Sequence, residues 1–322
     1  MNILVTGASG FIGGRFLQRF AANSGCVLYG VGRRPRQNVP AGAQYAAVPL
    51  DRLGQLDFTP DVVIHAAGRA SPWGTRKEYW RDNVQSTQQV VSFCQQQGLP
   101  RLIFLSTAAV YYRFAHQHNL LESQPVGPEF TSEYGRTKYQ AEMCVAGYPG
   151  EKTVLRPCAV FGEGDQLLFP PLLTAARNKR LCWLEDEGEP AQAELVHVDV
   201  LCDYLLRAAM APKLRPCYNL SAGHPVLTRD ALHHLLMQLN LPVPDATVPL
   251  RRAMWFARAL ECMWRIAHLP GIPPVTRFGV AVFGYSATLN VDAMRADFGE
   301  PSIPFTHSFD SFLHHAKGYI PC

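Results

Sequence analysis

The first fifty residues hold no aspartate or glutamate; the first carboxylate in the chain is Asp51. That gap excludes the acidic side chain which, about 20 residues past a glycine loop, bonds the ribose 2′-hydroxyl of NAD. The nine cysteines are scattered and odd in number, with no C-x-x-C pair and no His-rich partner. They argue against zinc or any other metal, offer no disulfide framework and fit a reducing cytoplasm. No dense Lys/Arg run occurs and the net charge is only +4, so nucleic acid is not implied. Apolar runs stop short of the roughly 20 residues a transmembrane span needs. Met1-Asn2 leads straight into a strand, so no signal peptide is expected. Repeats and low-complexity segments are also lacking. What remains is a chain of 322 residues, 48% hydrophobic and 17% charged, with room for one or two folded domains.

Ile3-Leu4-Val5 reads as a strand, followed at once by Thr6-Gly-Ala-Ser-Gly-Phe-Ile-Gly13 and a helix with Ile12, Phe16 and Phe20 one turn apart. Gly7 permits the tight turn, Gly10 lets the backbone approach a pyrophosphate, and Gly13 lets the helix pack on the strand. The helix start, with Ser9, Phe11 and Ile12 around it, offers unpaired N–H groups and a positive dipole end to phosphate. The next strand, Val27 to Val31, ends in Gly32-Arg33-Arg34. Arginine there suits the 2′-phosphate of NADP, because guanidinium binds phosphate as a planar fork. A solvated basic loop is the other reading of the pair.

Ala46 to Leu50 reads as a third strand, with Asp51 at its carboxyl end, placed to accept from an adenine amino group. Asp61 to Gly68 reads as the fourth. Its last residues, Ala66, Ala67 and Gly68, leave room for a cofactor where such sheets bind ligands. His65, among small residues, reads as a packed histidine rather than a catalytic one. A helix from Asn83 to Cys94 carries Val84, Thr87, Val91 and Cys94 on one face. Arg101 to Leu105 is the fifth strand and runs into Ser106-Thr107; Lys152 to Pro157 is the sixth. Between them lies Tyr134-Gly-Arg-Thr-Lys138. On a helix, residues four apart share a face. An ammonium beside a phenol favours the phenolate and lowers the tyrosine pKa from about 10. Such a tyrosine can pass a proton to or from a substrate oxygen.

Pro170-Pro171 lead into a helix through Arg180. Asp199 is expected to cap a helix from Val200 to Met210, and Thr228 another from Arg229 to Asn240. Arg252 to His268 carries Met254, Trp255, Phe256, Leu260, Met263, Trp264 and Ile266, broken by Arg258, Glu261 and Arg265. The charges exclude a simple membrane span. Three readings stay open: a core helix, an apolar lid over a hydrophobic substrate, and a helix resting on a membrane interface.

Taken in order, Thr6-Gly-x-x-Gly-x-x-Gly13, His65-Ala-Ala-Gly68, Asn83-Val-x-x-Thr87, Ser106-Thr107 before Val110-Tyr111, Tyr134-x-x-x-Lys138 and Leu155-Arg-Pro157 resemble the extended short-chain dehydrogenase/reductases, of the epimerase/dehydratase type. Pro273-Pro274, Tyr285 and Phe298-Gly-Glu-Pro301 are similar to the 3β-hydroxysteroid dehydrogenase-like group, with Phe-Gly-Glu in place of that group's Leu-Gly-Tyr. The resemblance implies an α/β doubly wound parallel sheet: a Rossmann domain over 1–160 and a smaller substrate domain over 161–322, with about 196–220 returning to the main sheet. It implies catalysis by Thr107, Tyr134 and Lys138. Thr107 would bond the substrate oxygen, Tyr134 would act as acid or base, and Lys138 would tune it and hold the nicotinamide ribose. Asn83 and Ser106 would support the site and Pro157 would line the nicotinamide. Together these point to an NADP(H)-preferring ketoreductase or alcohol dehydrogenase with a small hydrophobic substrate. Many such proteins form homodimers through helices that include the Tyr/Lys helix. A nucleotide-sugar epimerase or dehydratase, and a non-catalytic NADP-binding regulator, are the rival readings.

Overall fold

The structure, a computed structural model, describes residues 1–22, 25–35, 39–185 and 188–318. Alternation along the first strand, β1 (Asn2–Thr6), sorts the core into two layers. Ile3 and Val5 face one side, where they meet Phe16 and Leu17 of helix α1 (Phe11–Phe20). Leu4 faces the other and meets a separate set around Val90, Phe93 and Val145. Successive strand side chains point to opposite faces, so a strand apolar at every position must be covered on both.

Six further strands join it: β2 (Val27–Gly32), β3 (Ala43–Ala47), β4 (Val62–His65), β5 (Arg101–Leu105), β6 (Lys152–Pro157) and β7 (Cys217–Leu220). All pair in parallel, in the order β7-β6-β5-β4-β1-β2-β3. Helices α2 (Ser86–Gln96) and α3 (Glu133–Ala146) supply buried residues to one face, α1 and α4 (Val198–Met210) to the other. This is the expected doubly wound sheet. The chain leaves β1 for β2 on one side and later returns to β4 on the other. The carboxyl ends of β1 and β4 therefore flank the switch point, where open α/β sheets bind ligands.

Several boundaries differ from the sequence expectations. β3 ends at Ala47 rather than Leu50, since Pro49 has no N–H for a ladder and a 3₁₀ turn starts at Leu50. β4 stops at His65, leaving Ala66 to Gly68 as loop. The helix expected from Asn83 begins at Arg76, capped by Thr75 and Glu78, and runs as a π-helix over Trp80–Gln85 before α2. Val90, not Val91, is the residue buried against the sheet. His197 caps α4, its Nδ1 accepting the Asp199 N–H at 3.2 Å. Asp199 is taken instead by Arg15, whose Nε and Nη2 donate at 2.5 and 2.9 Å and so tie α1 to α4. Pro170 and Pro171 sit inside the first turn of helix Phe169–Arg177, where a missing N–H costs nothing. Thr228 is likewise the first residue of its helix, Thr228–Gln238, not its cap.

A second sheet of four short strands has the order Val226–Leu227, Gln192–Ala193, Ala287–Leu289, Gln117–Leu120. Beside it an aromatic cluster gathers Phe161, Phe169 and Phe309 with Leu235 and Leu313. Helix α5 (Leu250–Ile266) packs on α6 (Arg277–Gly284) through Leu250, Ala253, Ala257 and Val280. Beyond Leu250 at its start, the contact is made by the small residues Ala253 and Ala257. Among the described residues no helix is long and apolar enough to cross a membrane.

Candidate active site

The loop after β1 is built around an approach that only glycine allows. Gly7 has φ +70°, and a Cβ there would lie 2.8 Å from the backbone of Ala67. A Cβ on Gly13 would lie 2.7 Å from the Gly7 carbonyl oxygen, so Gly13 seats α1 on the turn itself. Gly10 is the helix N-cap, with no side-chain cap and no acidic residue in the first turn, and Phe11 and Ile12 begin the helix. The free N–H groups and positive dipole end thus face the switch point without a competing carboxylate. Ala66, Ala67 and Gly68 form the opposite lip. These residues fit the pyrophosphate of a dinucleotide.

At the end of β2, Gly32 lies against Ser9 and Tyr45, where a Cβ would fall within 3 Å of both side chains. Arg33 and Arg34 follow, both exposed. Arg33 Nη1 lies 3.4 Å from Asp82, a carboxylate already held by Arg69 at 3.0 Å and Arg81 at 2.9 Å. The Arg34 backbone carbonyl accepts from the Tyr45 hydroxyl at 2.5 Å. Asp51 is exposed, in the 3₁₀ turn after β3.

The structure brings Thr107, Tyr134 and Lys138 together beside this loop. Thr107, at the end of β5, accepts the Ala109 N–H at 3.2 Å and so starts the 3₁₀ turn Ala108–Val110. Ser132 caps α3 through the Gly135 N–H at 3.1 Å. A Cβ on Gly135 would lie 2.6 Å from the Ala109 carbonyl oxygen, so α3 touches that turn. The contact places the Tyr134 phenol beside the Thr107 hydroxyl, whose influence favours the phenolate. We expect Gly135→Ala to push α3 off the turn and lower kcat roughly tenfold, since a misplacement of about 1 Å can cost about 10²-fold. Cofactor affinity should hold; an unchanged kcat would show that the close approach is unimportant.

Lys138 is almost wholly buried. Its Nζ donates to the Leu105 carbonyl at 2.7 Å and lies 4.1 Å over the Phe104 ring. Burial lowers its pKa to about 7. Tyr134 departs from the sequence expectation. Burial raises its phenol above the ordinary value, and the Thr107 hydroxyl is the influence that pulls it back. The ammonium is spent on a backbone carbonyl and a ring face instead. Between the ordinary 10.5 and about 7, folded Lys138 binds fewer protons than unfolded Lys138. The wild type therefore loses stability as pH falls through that window and reaches a plateau below it. Lys138→Met, with no charge to bury, should gain on the wild type across the same window in denaturant titrations. A stability gap that does not move with pH would refute this.

Asn83, in the π-helical turn, accepts the Arg69 N–H at 2.7 Å and donates to Thr137 at 3.0 Å. It thereby ties the loop after Gly68 to α3, and a Cβ on Gly68 would meet its Oδ1 at 3.0 Å. His65 is packed, as expected, between Thr6 at 2.7 Å and Thr87 at 3.0 Å. Thr87 spends its proton on the Asn83 carbonyl, so the Nε2–H tautomer satisfies every group. Burial drops the imidazole pKa to about 3, keeping it neutral. Ser106 gives its hydroxyl to Glu142 at 2.5 Å. Glu142 is paired in turn with Arg156 through two bonds, and Arg156 bonds Tyr111 at 2.5 Å. Pro157 is buried at the end of β6.

Sequence reasoning missed Glu142, Arg156 and Glu194. Glu194 is buried, its Oε1 accepts the Leu289 N–H at 3.1 Å, and its Oε2 has no partner among the described residues. Burial holds its carboxyl above the usual range. With Tyr112, Ala159 and Tyr285 it lines a cleft that shares Ala159, Ala193 and Val282 with an apolar cavity of about 50 Å³. Leu168, Phe169, Leu172, Leu232 and Phe309 wall that cavity. Behind the cleft-lining Tyr285 and Ser286, Glu189 pairs with His118 at 2.5 Å and His116 at 3.1 Å.

Residues 3–220 match the model of the NAD dependent epimerase/dehydratase family. The chain belongs to this family. A 2-alkyl-3-oxoalkanoate reductase of Stenotrophomonas maltophilia is 30% identical over 93% of this chain and 94% of its own length. A 4-hydroxy-2-methyl-3-oxo-4-farnesyl-3,4-dihydroquinoline-1-oxide ketoreductase of Stigmatella aurantiaca is 31% identical over 93% and 91%. Among solved structures, the UDP-glucuronic acid 4-epimerase of Bacillus cereus in complex with NAD superposes with a TM-score of 0.74, at 17% identity, over the full length of both chains. That likeness speaks for the fold. As a member of the epimerase/dehydratase family the chain is an NAD(P)-dependent oxidoreductase on an extended short-chain dehydrogenase/reductase fold.

Proposed function

We propose that the protein is an NADPH-dependent ketoreductase whose substrate is a ketone on an apolar chain, of the 3-oxo kind named for its relatives. The observation that carries this is Thr107 beside Tyr134 on the helix that carries buried Lys138, with Tyr134 close to Tyr112, which lines a cleft that continues into an apolar cavity. The bound nicotinamide supplies the hydride. The chain's own residues do the rest. Thr107 holds the carbonyl oxygen in reach of Tyr134. Tyr134, its phenol kept protonated by burial, gives that oxygen a proton as the hydride reaches the carbon. Lys138 restores the charge balance beside it, with a pKa near 7 that lets it release a proton at neutral pH. Ser106 and Asn83 act through α3 and the Arg69 loop, holding the helix that carries Tyr134.

Incubating the protein with NADPH and a 2-alkyl-3-oxoalkanoate should consume cofactor and yield the 3-hydroxy acid. Conversion of a nucleotide sugar without net cofactor change, and no ketone reduction, would replace this reading with the epimerase one. Leu168, Phe169 and Leu232 favour the ketone, because an apolar wall gives a sugar no hydrogen bonds.

A further inference from the structure

Helix α5 has two apolar sides, and the protein uses only one. Leu250, Ala253 and Ala257 are buried against α6, with Glu261 below them bonded to Arg277 at 3.0 Å. On the outside Trp255 is 72% exposed, Phe256 53%, Met263 47% and Ile266 83%. The loop beyond adds Leu269 and Ile272, both exposed. Single exposed apolar residues are ordinary; six large ones on one helix and its trailing loop are not.

The charges say what covers them. Arg251, Arg258 and Arg265 recur every seven residues, so they run as a stripe along the same helix beside the apolar face, while Arg252 lies apart from them, one turn before Trp255 and Phe256. Between Asp245 and Asp292 the only carboxylate is Glu261, which is buried and paired. The outward side is thus apolar and cationic, and the helix's single carboxylate, Glu261, lies on the buried side. Such a helix lies in the headgroup plane of an anionic bilayer, its rings in the acyl boundary and its guanidinium groups on phosphates.

We propose that α5 seats the protein on an anionic lipid surface and sets the mouth of the cleft against it. Arg265 stacks on Trp73 at 5.3 Å, and Tyr285 packs against α5 while lining the cleft. The seat therefore stands one residue layer from the proposed substrate path. An apolar ketone would reach Tyr134 from the bilayer rather than from water. The delivery step rests on the proposed function; the binding step does not.

The test is co-sedimentation of the whole protein with vesicles of phosphatidylcholine alone or mixed with phosphatidylglycerol. Wild type should bind the mixed vesicles, weaken with salt and leave the neutral ones largely unbound. Each arginine near an anionic surface is worth roughly fivefold, so Arg251→Gln, Arg258→Gln and Arg265→Gln together should cost on the order of a hundredfold. Trp255→Glu should cost roughly 10- to 150-fold, the value of burying one large side chain. Both variants should reduce a soluble short-chain ketone as wild type does, since the changes are on the surface. Equal binding to both vesicle types, or none, overturns the proposal. So does a wild type that ignores vesicles but sediments as a dimer split by Ile266→Glu, which would make the face a contact between copies. Vesicle binding without ketone reduction would keep the seat and sink the ketoreductase reading; reduction without vesicle binding would do the reverse.

Discussion

Tyr134→Phe should abolish turnover while leaving NADPH binding intact. The change deletes one oxygen from a half-buried ring and nothing else. The nearest consequences are losing the proton donor and leaving the Thr107 hydroxyl without the phenol beside it. General acid catalysis by a positioned side chain contributes about 10²- to 10⁴-fold, or roughly 3–5 kcal/mol of barrier. Cofactor affinity is expected to stay, because the pyrophosphate cradle of Gly7, Gly10 and Gly13 lies on another loop. The raised phenol pKa adds a pH signature. A phenol that stays protonated across the neutral range is a ready acid, so the pH dependence of ketone reduction there should come from Lys138, with the rate falling as pH rises through about 7. Alcohol oxidation needs the phenolate and should climb as pH rises. Measurable turnover by Tyr134→Phe with unaltered kcat would remove Tyr134 from the chemistry. Reduction that rises steeply with pH would mean that the phenolate, not the phenol, is the working form.

Much of this site is legible in the sequence because its parts are local. A turn that needs glycine at φ +70° shows itself as Gly7, and a four-residue helical spacing as Tyr134 and Lys138. β5 and β6 are apolar runs bounded by polar or turn residues, and both fall where the pattern places them. The remainder depends on contacts between distant segments. Glu142 reads as a surface helix residue until Arg156 and Ser106 arrive from neighbouring strands. The lowered tyrosine pKa expected from Lys138 fails for a similar reason: the Leu105 carbonyl and Phe104 ring claim the ammonium, and burial dominates. Asp199 looks like a helix cap, but His197 takes that place and Asp199, one residue inside the helix, is held by Arg15 from 184 residues away. Helix α5 is illegible because it is apolar on two sides, so periodicity alone cannot choose the buried one. The small residues Ala253 and Ala257 decide it, since they let α6 come close.

Cofactor choice is where one side chain should have a large and separable effect. The wild type is expected to prefer NADPH to NADH. Arg33 follows the second strand, next to Gly32, which lies against Ser9 of the glycine loop; it is exposed, where an NAD enzyme would place a carboxylate. Its present partner is a poor competitor. Asp82 stands 3.4 Å away and is already held more closely by Arg69 and Arg81, so Arg33 gives up little by turning to a 2′-phosphate. Losing one charge-assisted phosphate contact costs about 1.5–3 kcal/mol, or roughly 10- to 150-fold in affinity. Arg33→Asp should exceed that loss for NADPH, because the new carboxylate also repels the phosphate, while it gains a bond to the free 2′-hydroxyl of NADH. The preference should therefore narrow or invert. Arg34→Ala should matter less than Arg33→Ala, and comparing them assigns the phosphate contact. The measurement is titration of both cofactors against wild type and the three variants. Equal affinity of the wild type for NADH and NADPH would refute the expectation. It would also return the epimerase reading to contention.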